Sequence, residues 1–285
     1  MAHHVTERLP NPYDFKKISD LPWTLRQHFL NAWGGNVVRR MATGRPGRLA
    51  GRKRVTESLL LSTADLFAVL FFVAVWFVYG LAVEGRMFSR PSLTAAMNAQ
   101  RRAWMRAMAR RDLRMVDTAI MAGLQQGTAF FASASLIALG GALALLQQTE
   151  PVMTVLADLP LVAPSPRGLF ELKVLGLTVL FAYSFFKFGW AYRLLNYCSI
   201  LLGAVPASTE GPSLAMDAAV ERAVQMNMLG GKHFNAGLRG IFFSIGYLGW
   251  FVGPEVFAVT TLLVAAVLAR RQFFSKARAS ALSQP

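Results

Sequence analysis

Thr128 to Leu146 reads TAFFASASLIALGGALALL, a stretch of nineteen residues without a charged side chain. A helix rises ~1.5 Å per residue, so this stretch is long enough to cross a hydrocarbon core of ~30 Å. It therefore predicts a transmembrane span. Such a span can also associate with another helix where small residues recur four positions apart. Three pairs have this spacing and are candidate sites of homo-oligomer contact, with an ordinary alanine-rich span as the alternative: Gly123 and Gly127, Ala134 and Ala138, Gly140 and Ala144.

A basic amphipathic segment, Ser92 to Gln126, precedes this span. No obvious breaker separates the two, so we expect one long helix from Pro91 to Leu146 with Ser92 as its N-cap. Methionine and tryptophan side chains recur on one face of the segment at helical spacing, which is typical of a packing surface.

Arginines repeat every four residues on another face of this segment: Arg102, Arg106, Arg110 and Arg114. Like charges at this spacing repel by ~0.2–0.5 kcal/mol per pair, so an anionic group should offset them. We predict that Arg102, Arg106 and Arg110 face the phosphates of anionic lipid. The alternatives are neutralisation by Asp112 and Asp117, or a solvated face.

The whole chain is 54% hydrophobic and yet carries a formal net charge of +15. This combination is typical of a membrane protein with basic flanks, and it argues against a nucleic-acid-binding protein. Cys198 is the only cysteine, which excludes a disulfide framework and a thiolate metal site within the chain. Of the four histidines only His233 lies in the membrane-associated part. We therefore expect no metal and no cofactor.

The distribution of apolar and basic residues divides the chain into three regions. Residues 1–57 are basic and lack a sustained hydrophobic period, so we expect a largely disordered tail that is attracted to anionic lipid. The tail does not resemble a secretory signal, and Met41 is an alternative start. Residues 58–271 form the predicted membrane domain, and residues 272–285 form a short C-terminal tail.

Four spans are expected in the membrane domain. They are Ser58 to Val83, the span that ends at Leu146, a third from near Leu169, and Ile241 to Ala269 with a kink near Pro254. The third continues to Pro206 and is too long for one crossing, so its second half should project beyond the bilayer. The predicted fold is an all-α integral membrane four-helix bundle whose long helices extend beyond the bilayer on one face. Four spans place both termini on one side, but nearly equal Lys and Arg counts leave the cytoplasmic side undecided.

Two connections complete this expected topology. Gln147 to Gly168 is rich in proline and predicts an extended connection that ends in the helix start Ser165-Pro166. Ser213 to Leu229 predicts a short amphipathic helix, which Gly230-Gly231 should end before the last span begins.

Polar residues concentrate where the long helices should leave the membrane. In this topology one face of the bundle collects Arg114, Asp117, Gln125, Lys187, Arg193, Asn196, His233, Asn235 and Arg239. We interpret them as a ligand site or a structural polar cluster. Asp117 should pair there with Lys187 or Arg193, because a charge at the membrane boundary costs least when it is paired.

Asp65 is an acid inside the first predicted span. Such an acid is rare and usually faces the bundle interior, which makes it a functional candidate. The alternative is a local cap close to the start of the helix. Asp65 begins at the opposite face from Lys187 and is therefore a poor partner for that residue.

Three stretches resemble the signatures of a bacterial family of multi-pass membrane proteins that is known only as a domain of unknown function, DUF599. They are NAQRRAWMRAMARRDLRMVDTAIMAGLQQGTAFFASASLIALGGALALL from Asn98, FFKFGWAYRLLNYCSILLGAVP from Phe185, and HFNAGLRGIFFSIGYLGWFVGP from His233. The resemblance covers about Ser58 to Arg271. It implies a membrane location and the same arrangement of spans, and it implies no activity.

Three classes of function are therefore open. We expect a multi-pass protein of the cell inner membrane, a non-enzymatic bundle that binds anionic lipid or a protein partner. The alternative is a small transporter or channel with a charged site near one membrane face. An enzyme is expected least, because no nucleophile with a base, metal quartet or phosphate loop is recognisable.

Overall fold

The computed structural model describes residues 61–84, 91–158, 160, 165–211 and 213–282. Among these residues there are helices and no strand, which confirms the predicted all-α class. In chain order the helices are α1 (Thr63–Val83), α2 (Leu93–Ala109), α3 (Met115–Gln147), α4 (Thr149–Ala157), α5 (Arg167–Gly203), α6 (Leu214–Tyr247), α7 (Gly249–Val252), α8 (Pro254–Phe273) and α9 (Lys276–Leu282). The predicted tail of residues 1–57 lies outside the described residues.

Four helical segments are long and apolar enough to cross a membrane: Thr63–Val83, Met115–Gln147, Arg167–Gly203 and Pro254–Leu282. This confirms the membrane-type fold with four apolar spans. α3 has 33 residues and α5 has 37, which correspond to ~50 Å and ~55 Å of helix. Both exceed a hydrocarbon core of ~30 Å and extend beyond it, as predicted.

Two polar contacts mark the two ends of the helix bundle. At one end Trp250 Nε1 donates to Asp65 Oδ1 at 2.7 Å, and at the other Lys232 Nζ lies 3.4 Å from Glu84 Oε1. We name these the Asp65 end and the Glu84 end. α1 runs from the first to the second, and the chain from Lys232 to Trp250 runs back. That return covers ~27 Å, nearly the thickness of the hydrocarbon core.

α6 thus passes through the bundle as a fifth helix, antiparallel to α1, although it is not among the four apolar segments. The predicted last span, Ile241 to Ala269, is not one helix, since Ile241 belongs to the end of α6 and a new helix starts at Pro254. Thr260 Oγ1 donates to the carbonyl of Gly246 at 2.7 Å. α6 and α8 therefore lie side by side as a hairpin.

The reversal between α6 and α8 has a local cause. Gly253 is extended, with φ 173° and ψ 164°, and Pro254 opens α8, where its missing N–H costs no hydrogen bond. The predicted kink is thus a complete turn.

Gln272 at the end of α8 donates to Thr94 Oγ1 of α2 at the Glu84 end. Thr63 and Phe273 consequently lie at opposite ends, and the prediction that both termini share one side is wrong for the described chain.

The predicted single helix from Pro91 to Leu146 is also two helices, α2 and α3. Ser92 does cap α2, because its side chain accepts a hydrogen bond from the backbone N–H of Ala95. α2 nevertheless ends at Ala109, and α3 begins only at Met115.

The break between α2 and α3 places Arg114 at the end of α5. Its guanidinium donates to the carbonyl of Val205 at 2.7 Å and to that of Pro206. Carbonyls that follow a helix have no intrahelical partner, so Arg114 satisfies groups that would otherwise be unpaired.

Two further local predictions are wrong. α6 continues through Gly230-Gly231, where a methyl group on either glycine would lie within 3.0 Å of Leu195 or Arg101. These glycines therefore allow close approach of neighbouring side chains and do not end the helix. The proline-rich connection contains the helix α4, and α5 has Pro166 as its N-cap, one residue later than predicted.

Two clusters of buried apolar side chains stabilise the fold. One lies between α1, α5, α6, α7 and α8 and is rich in aromatic rings, including Phe72, Phe243 and Phe257. The other joins α2 to the parts of α3, α5 and α6 that extend past the Glu84 end, and it includes Met105 and Met108. The second cluster holds α2 against α6, and this contact forms one wall of the candidate site.

Candidate functional site

A cavity of about 660 Å³ opens at the Glu84 end, between the end of α1, the start of α2, the middle of α5 and α6. We name it the basic pocket. Its polar lining includes Glu84, Asn98, Tyr183, Lys187, Gln225, Lys232, His233, Asn235 and Arg239. The helix from Arg167 at the other end to Lys187 rises ~30 Å, about the thickness of a hydrocarbon core.

α6 supplies most of the polar lining because of its spacing and its glycines. Lys232, Asn235 and Arg239 recur at intervals of three and four and so share one helical face. A methyl group on Gly237 would lie 2.7 Å from the ring of Phe188 in α5. The absence of a side chain at Gly237 therefore lets α6 approach α5 closely and brings this face beside Lys187.

Two cations of the pocket have no carboxylate partner among the described residues. The ammonium of Lys187 lies 5.3 Å from the ring centroid of Tyr183 and forms no ion pair with another described residue. The guanidinium of Arg239 packs against Gly80 of α1, and its buried Nε has no hydrogen-bond acceptor within the described part of the chain. Both side chains therefore bring positive charge that the described chain does not neutralise.

Arg101 adds a third cation behind the pocket wall. Its Nη1 donates to Oδ1 of Asn98 at 2.9 Å, and Asn98 itself lines the pocket. The guanidinium covers Gly231 of α6. Burial lowers the pKa of Arg101 from its ordinary value, but a guanidinium stays charged in proteins.

The nearby acids already have partners of their own. Glu84 lies 3.4 Å from Lys232. Beyond the pocket, Glu221 Oε1 is 3.2 Å from Arg102 Nη2, and Asp117 Oδ1 is 2.7 Å from Arg111 Nη1. Lys187, Arg239 and Arg101 are thus left as an uncompensated group, and the arrangement favours an anion.

His233 contributes a polar group that lacks a partner within the described chain. Its ring lies 6.4 Å from that of Trp190, centroid to centroid. Its Nδ1 is buried and makes no hydrogen bond there. This nitrogen is therefore unsatisfied within the described chain.

The structure divides the predicted polar cluster. Four of the nine residues line the basic pocket: Lys187, His233, Asn235 and Arg239. Gln125 donates to Ser199 Oγ at 2.9 Å, and Arg193 donates to Tyr197 Oη at 2.6 Å on its own helix. Asn196 is half-buried on α5 and does not line the pocket, while Arg114 caps the end of α5.

The predicted pair of Asp117 with Lys187 or Arg193 is wrong. Asp117 Oδ1 accepts hydrogen bonds from Trp104 Nε1 and Arg111 Nη1, both at 2.7 Å. The prediction kept α2 and α3 in one straight helix. The turn between them instead brings Trp104 and Arg111 back beside the start of α3, before any residue of α5 can reach the carboxylate.

Asp65 is buried at the Asp65 end, away from Lys187 as predicted. One of its oxygens accepts from Trp250 and the other from Ser62 Oγ at 2.7 Å. Ser62 in turn caps α1 through the backbone N–H of Asp65. The ammonium of Lys173 lies 5.6 Å from the Trp250 ring centroid. Asp65 therefore joins the start of α1 to the turn between α6 and α8.

The predicted arginine row is also divided. Arg102 contacts Glu221 of α6, whereas Arg106 and Arg110 are exposed. Lipid contact by these residues stays a prediction. The small-residue faces of α3 stay a prediction as well: Gly123, Gly127 and Gly140 have no neighbouring atom in the space where a side chain would begin.

Sequence reasoning missed Glu84, Asn98, Tyr183, Gln225 and Lys232 as pocket residues. The signal for Lys232 was present, because it lies seven residues before Arg239 and thus on the same face of a continuous helix. The prediction ended the helix at Gly230-Gly231, so it did not place Lys232 and Arg239 on one continuous helix. Among the described residues, no cluster of three His, Cys, Asp or Glu side chains could hold a metal ion.

A family model described as a protein of unknown function, DUF599, matches residues 67–277. No curated protein and no solved structure matches the chain.

Proposed function

Because the chain belongs to the DUF599 family of proteins of unknown function, we propose a function from its geometry: it is a non-enzymatic membrane protein that binds an anionic lipid headgroup in the basic pocket. One observation carries this proposal. Lys187 and Arg239 line a cavity at headgroup depth, Arg101 lies behind its wall, and no described carboxylate neutralises these three cations.

The surroundings of the pocket favour a lipid as the source of the anion. Trp190 is 48% exposed beside His233, and Tyr183 lines the cavity. Tryptophan and tyrosine are typical of the membrane interface, where an apolar ring meets a polar tip. Basic pockets between transmembrane helices commonly bind anionic headgroups. We place this protein in the bacterial inner membrane as part of the same proposal.

The interior of the bundle favours binding over passage. Aromatic rings of α1, α6, α7 and α8 contact one another from the pocket wall to Trp250, with centroids 5.2 to 5.7 Å apart. Trp76 extends this packing to Tyr183 in the pocket, at 5.5 Å. This aromatic packing fills the interior between the basic pocket and the Asp65 end, so the pocket does not continue through the bundle. An ion-flux assay in liposomes tests the transporter alternative, and flux that depends on Lys187 would favour it.

Binding of phosphatidylglycerol to the full chain in detergent micelles tests the proposal. Replacing Lys187 and Arg239 together by glutamine removes two cations, each worth ~1 kcal/mol toward an anionic lipid, and should weaken binding about thirtyfold. The matched control replaces the exposed Arg106 and Arg110 by glutamine and removes the same charge. Equal losses in the two variants would show general attraction to a basic surface and would remove the case for the pocket.

A further inference from the structure

We propose that the ligand of the basic pocket is a phosphomonoester, a group with two negative charges, and not the singly charged phosphodiester of common anionic lipids. This inference rests on the proposed function and narrows it to one chemical class. A lipid that ends in a phosphomonoester has this chemistry, and so does free inorganic phosphate.

The first argument is charge. Glu84 and Lys232 form a pair and leave the net charge of the pocket to Lys187, Arg239 and the adjacent Arg101. A phosphodiester would neutralise one of these three cations. A phosphomonoester carries about −1.5 to −2 at pH 7 and would neutralise about two. If the phosphomonoester neutralises Lys187 and Arg239, the third cation, Arg101, keeps its hydrogen bond to the neutral amide of Asn98.

The second argument is the number of donors without an acceptor. Lys187 can donate three hydrogen bonds and the Arg239 guanidinium has five N–H groups, and neither side chain donates to an acceptor among the described residues. A phosphomonoester presents three terminal oxygens, each a strong acceptor. A phosphodiester presents only two free oxygens, so it would satisfy fewer of these groups.

The third argument is the position of the donors around the cavity. Lys187 is contributed by α5, and Arg239, which reaches Gly80 of α1, by α6. Asn98 brings an amide from α2. Donors therefore come from different walls of the cavity. A tetrahedral group with three free oxygens can bind to several walls at once, whereas a diester must direct its two substituents away from them.

The experiment compares dioleoyl phosphatidate, dioleoyl phosphatidylglycerol and dioleoyl phosphatidylcholine, which share their acyl chains, in binding to the full chain in detergent micelles. We expect phosphatidate to bind at least tenfold more tightly than phosphatidylglycerol, and phosphatidylcholine to bind least. The single changes Lys187→Gln and Arg239→Gln should each reduce this preference, while the double change Arg106→Gln and Arg110→Gln should keep it. Thermal unfolding of each variant identifies one that has lost its fold, and the remaining single variant then decides.

Each outcome has a distinct meaning. Equal affinity for phosphatidate and phosphatidylglycerol would overturn the phosphomonoester inference and leave the proposed lipid binding intact. No specific binding of either lipid would overturn both. Inorganic phosphate is the further competitor. If it displaces phosphatidate at comparable concentration, the phosphomonoester inference stands and the lipid source is wrong.

Discussion

Asp117 joins two helices and the turn between them through one buried carboxylate. It is 0% exposed, and its Oδ1 accepts from Trp104 of α2 and from Arg111 in the turn before α3. A buried carboxylate is stable only when it is paired and hydrogen-bonded. The position of Asp117 therefore fixes how α2 folds back on the start of α3.

Arg111→Met tests this role. Loss of one partner of a fully buried pair costs ~3–5 kcal/mol, but the Arg111 side chain is 44% exposed, which reduces the effect. We expect a loss of about 2–3 kcal/mol, measured as thermal unfolding in detergent. A second change, Asp117→Asn, should recover much of the loss because it removes the unpaired charge.

Lys187→Met is the matched comparison for that experiment. It also removes a cation, but the structure gives it no contact with Asp117. Asp117→Asn should therefore not improve the stability of Lys187→Met. If Asp117→Asn recovers the stability of Lys187→Met and not that of Arg111→Met, the pair of Asp117 with Lys187 predicted from the sequence is correct.

Residues whose partners are close in the sequence were the predictable ones. Ser92 bonds three residues ahead, and its role as N-cap follows from the sequence Pro91-Ser92. Asp65 has the same kind of local cap in Ser62, but its second partner, Trp250, lies on a distant turn. Partners of that second kind depend on the fold of the whole chain, and no local pattern indicates them.

At the scale of the element, α6 decides the shape of the candidate site. It is a long helix with a polar face toward the basic pocket and glycines toward α5 and α2. Glycine is usually unfavourable inside a helix, by about 1 kcal/mol relative to alanine. Here the missing side chains allow α6 to pack closely enough to bring its cations beside Lys187.

Gly237→Ala should therefore destabilise the protein. The added methyl group would lie 2.7 Å from the ring of Phe188, which is 0% exposed and stacks on Phe131 at 5.5 Å. Overpacking of this kind costs ~1–3 kcal/mol. The measurement is thermal unfolding in detergent, together with phosphatidylglycerol binding, which should weaken as α6 moves away from α5.

Gly189→Ala is the control for the helical effect of the substitution. Gly189 lies on α5 next to Phe188, and nothing occupies the space where its side chain would begin. The change should leave stability unchanged or raise it by ~0.4–1 kcal/mol, because alanine lowers the entropy of the unfolded chain. If both variants lose stability equally, close packing of α6 on α5 is not the reason for Gly237.

The apolar spans could be predicted, and α6 could not, for the same physical reason. Lipid exposure requires an apolar surface, so α1, α3, α5 and α8 carry a strong signal in their composition. α6 packs against α5, α8 and α2 and buries much of its surface there, so it needs less apolar surface and its polar residues concealed its passage. The basic pocket was half predicted, because it consists of the polar residues of α6 and the neighbours that only its full length brings together.

At the scale of the whole molecule, the fifth helix changes the distribution of charge. Because α6 runs back through the bundle, the C-terminal flank lies at the Glu84 end together with α2. Lys and Arg residues of the described flanks then gather at that end: Arg101, Arg102, Arg106, Arg110, Arg111, Arg114, Arg222, Lys232, Arg239, Arg270, Arg271, Lys276 and Arg278. At the Asp65 end the described residues contribute two cations, Arg167 and the buried Lys173.

This asymmetry predicts the orientation that four spans left undecided. Positively charged flanks are retained on the cytoplasmic side, so the Glu84 end and the basic pocket should face the cytoplasm. The seven Lys and Arg residues between Arg39 and Arg54 of the sequence do not outnumber that flank. A cytoplasmic pocket would meet the more anionic membrane surface, in agreement with the proposed ligand.

Labelling with a membrane-impermeant maleimide tests both the number of passes and the orientation. The only native cysteine, Cys198, is 0% exposed, and Cys198→Ala provides a cysteine-free background. Thr63→Cys reports the Asp65 end, Ala279→Cys reports the end of the described chain, and Ala207→Cys is the control at the Glu84 end. All three positions are exposed.

We expect Thr63→Cys to be labelled in intact cells, and Ala207→Cys and Ala279→Cys only in inverted vesicles. The reverse pattern would keep five passes and contradict the orientation. If Thr63→Cys and Ala279→Cys are labelled from the same side, α6 does not cross the membrane, and the basic pocket loses the helix that supplies most of its charge.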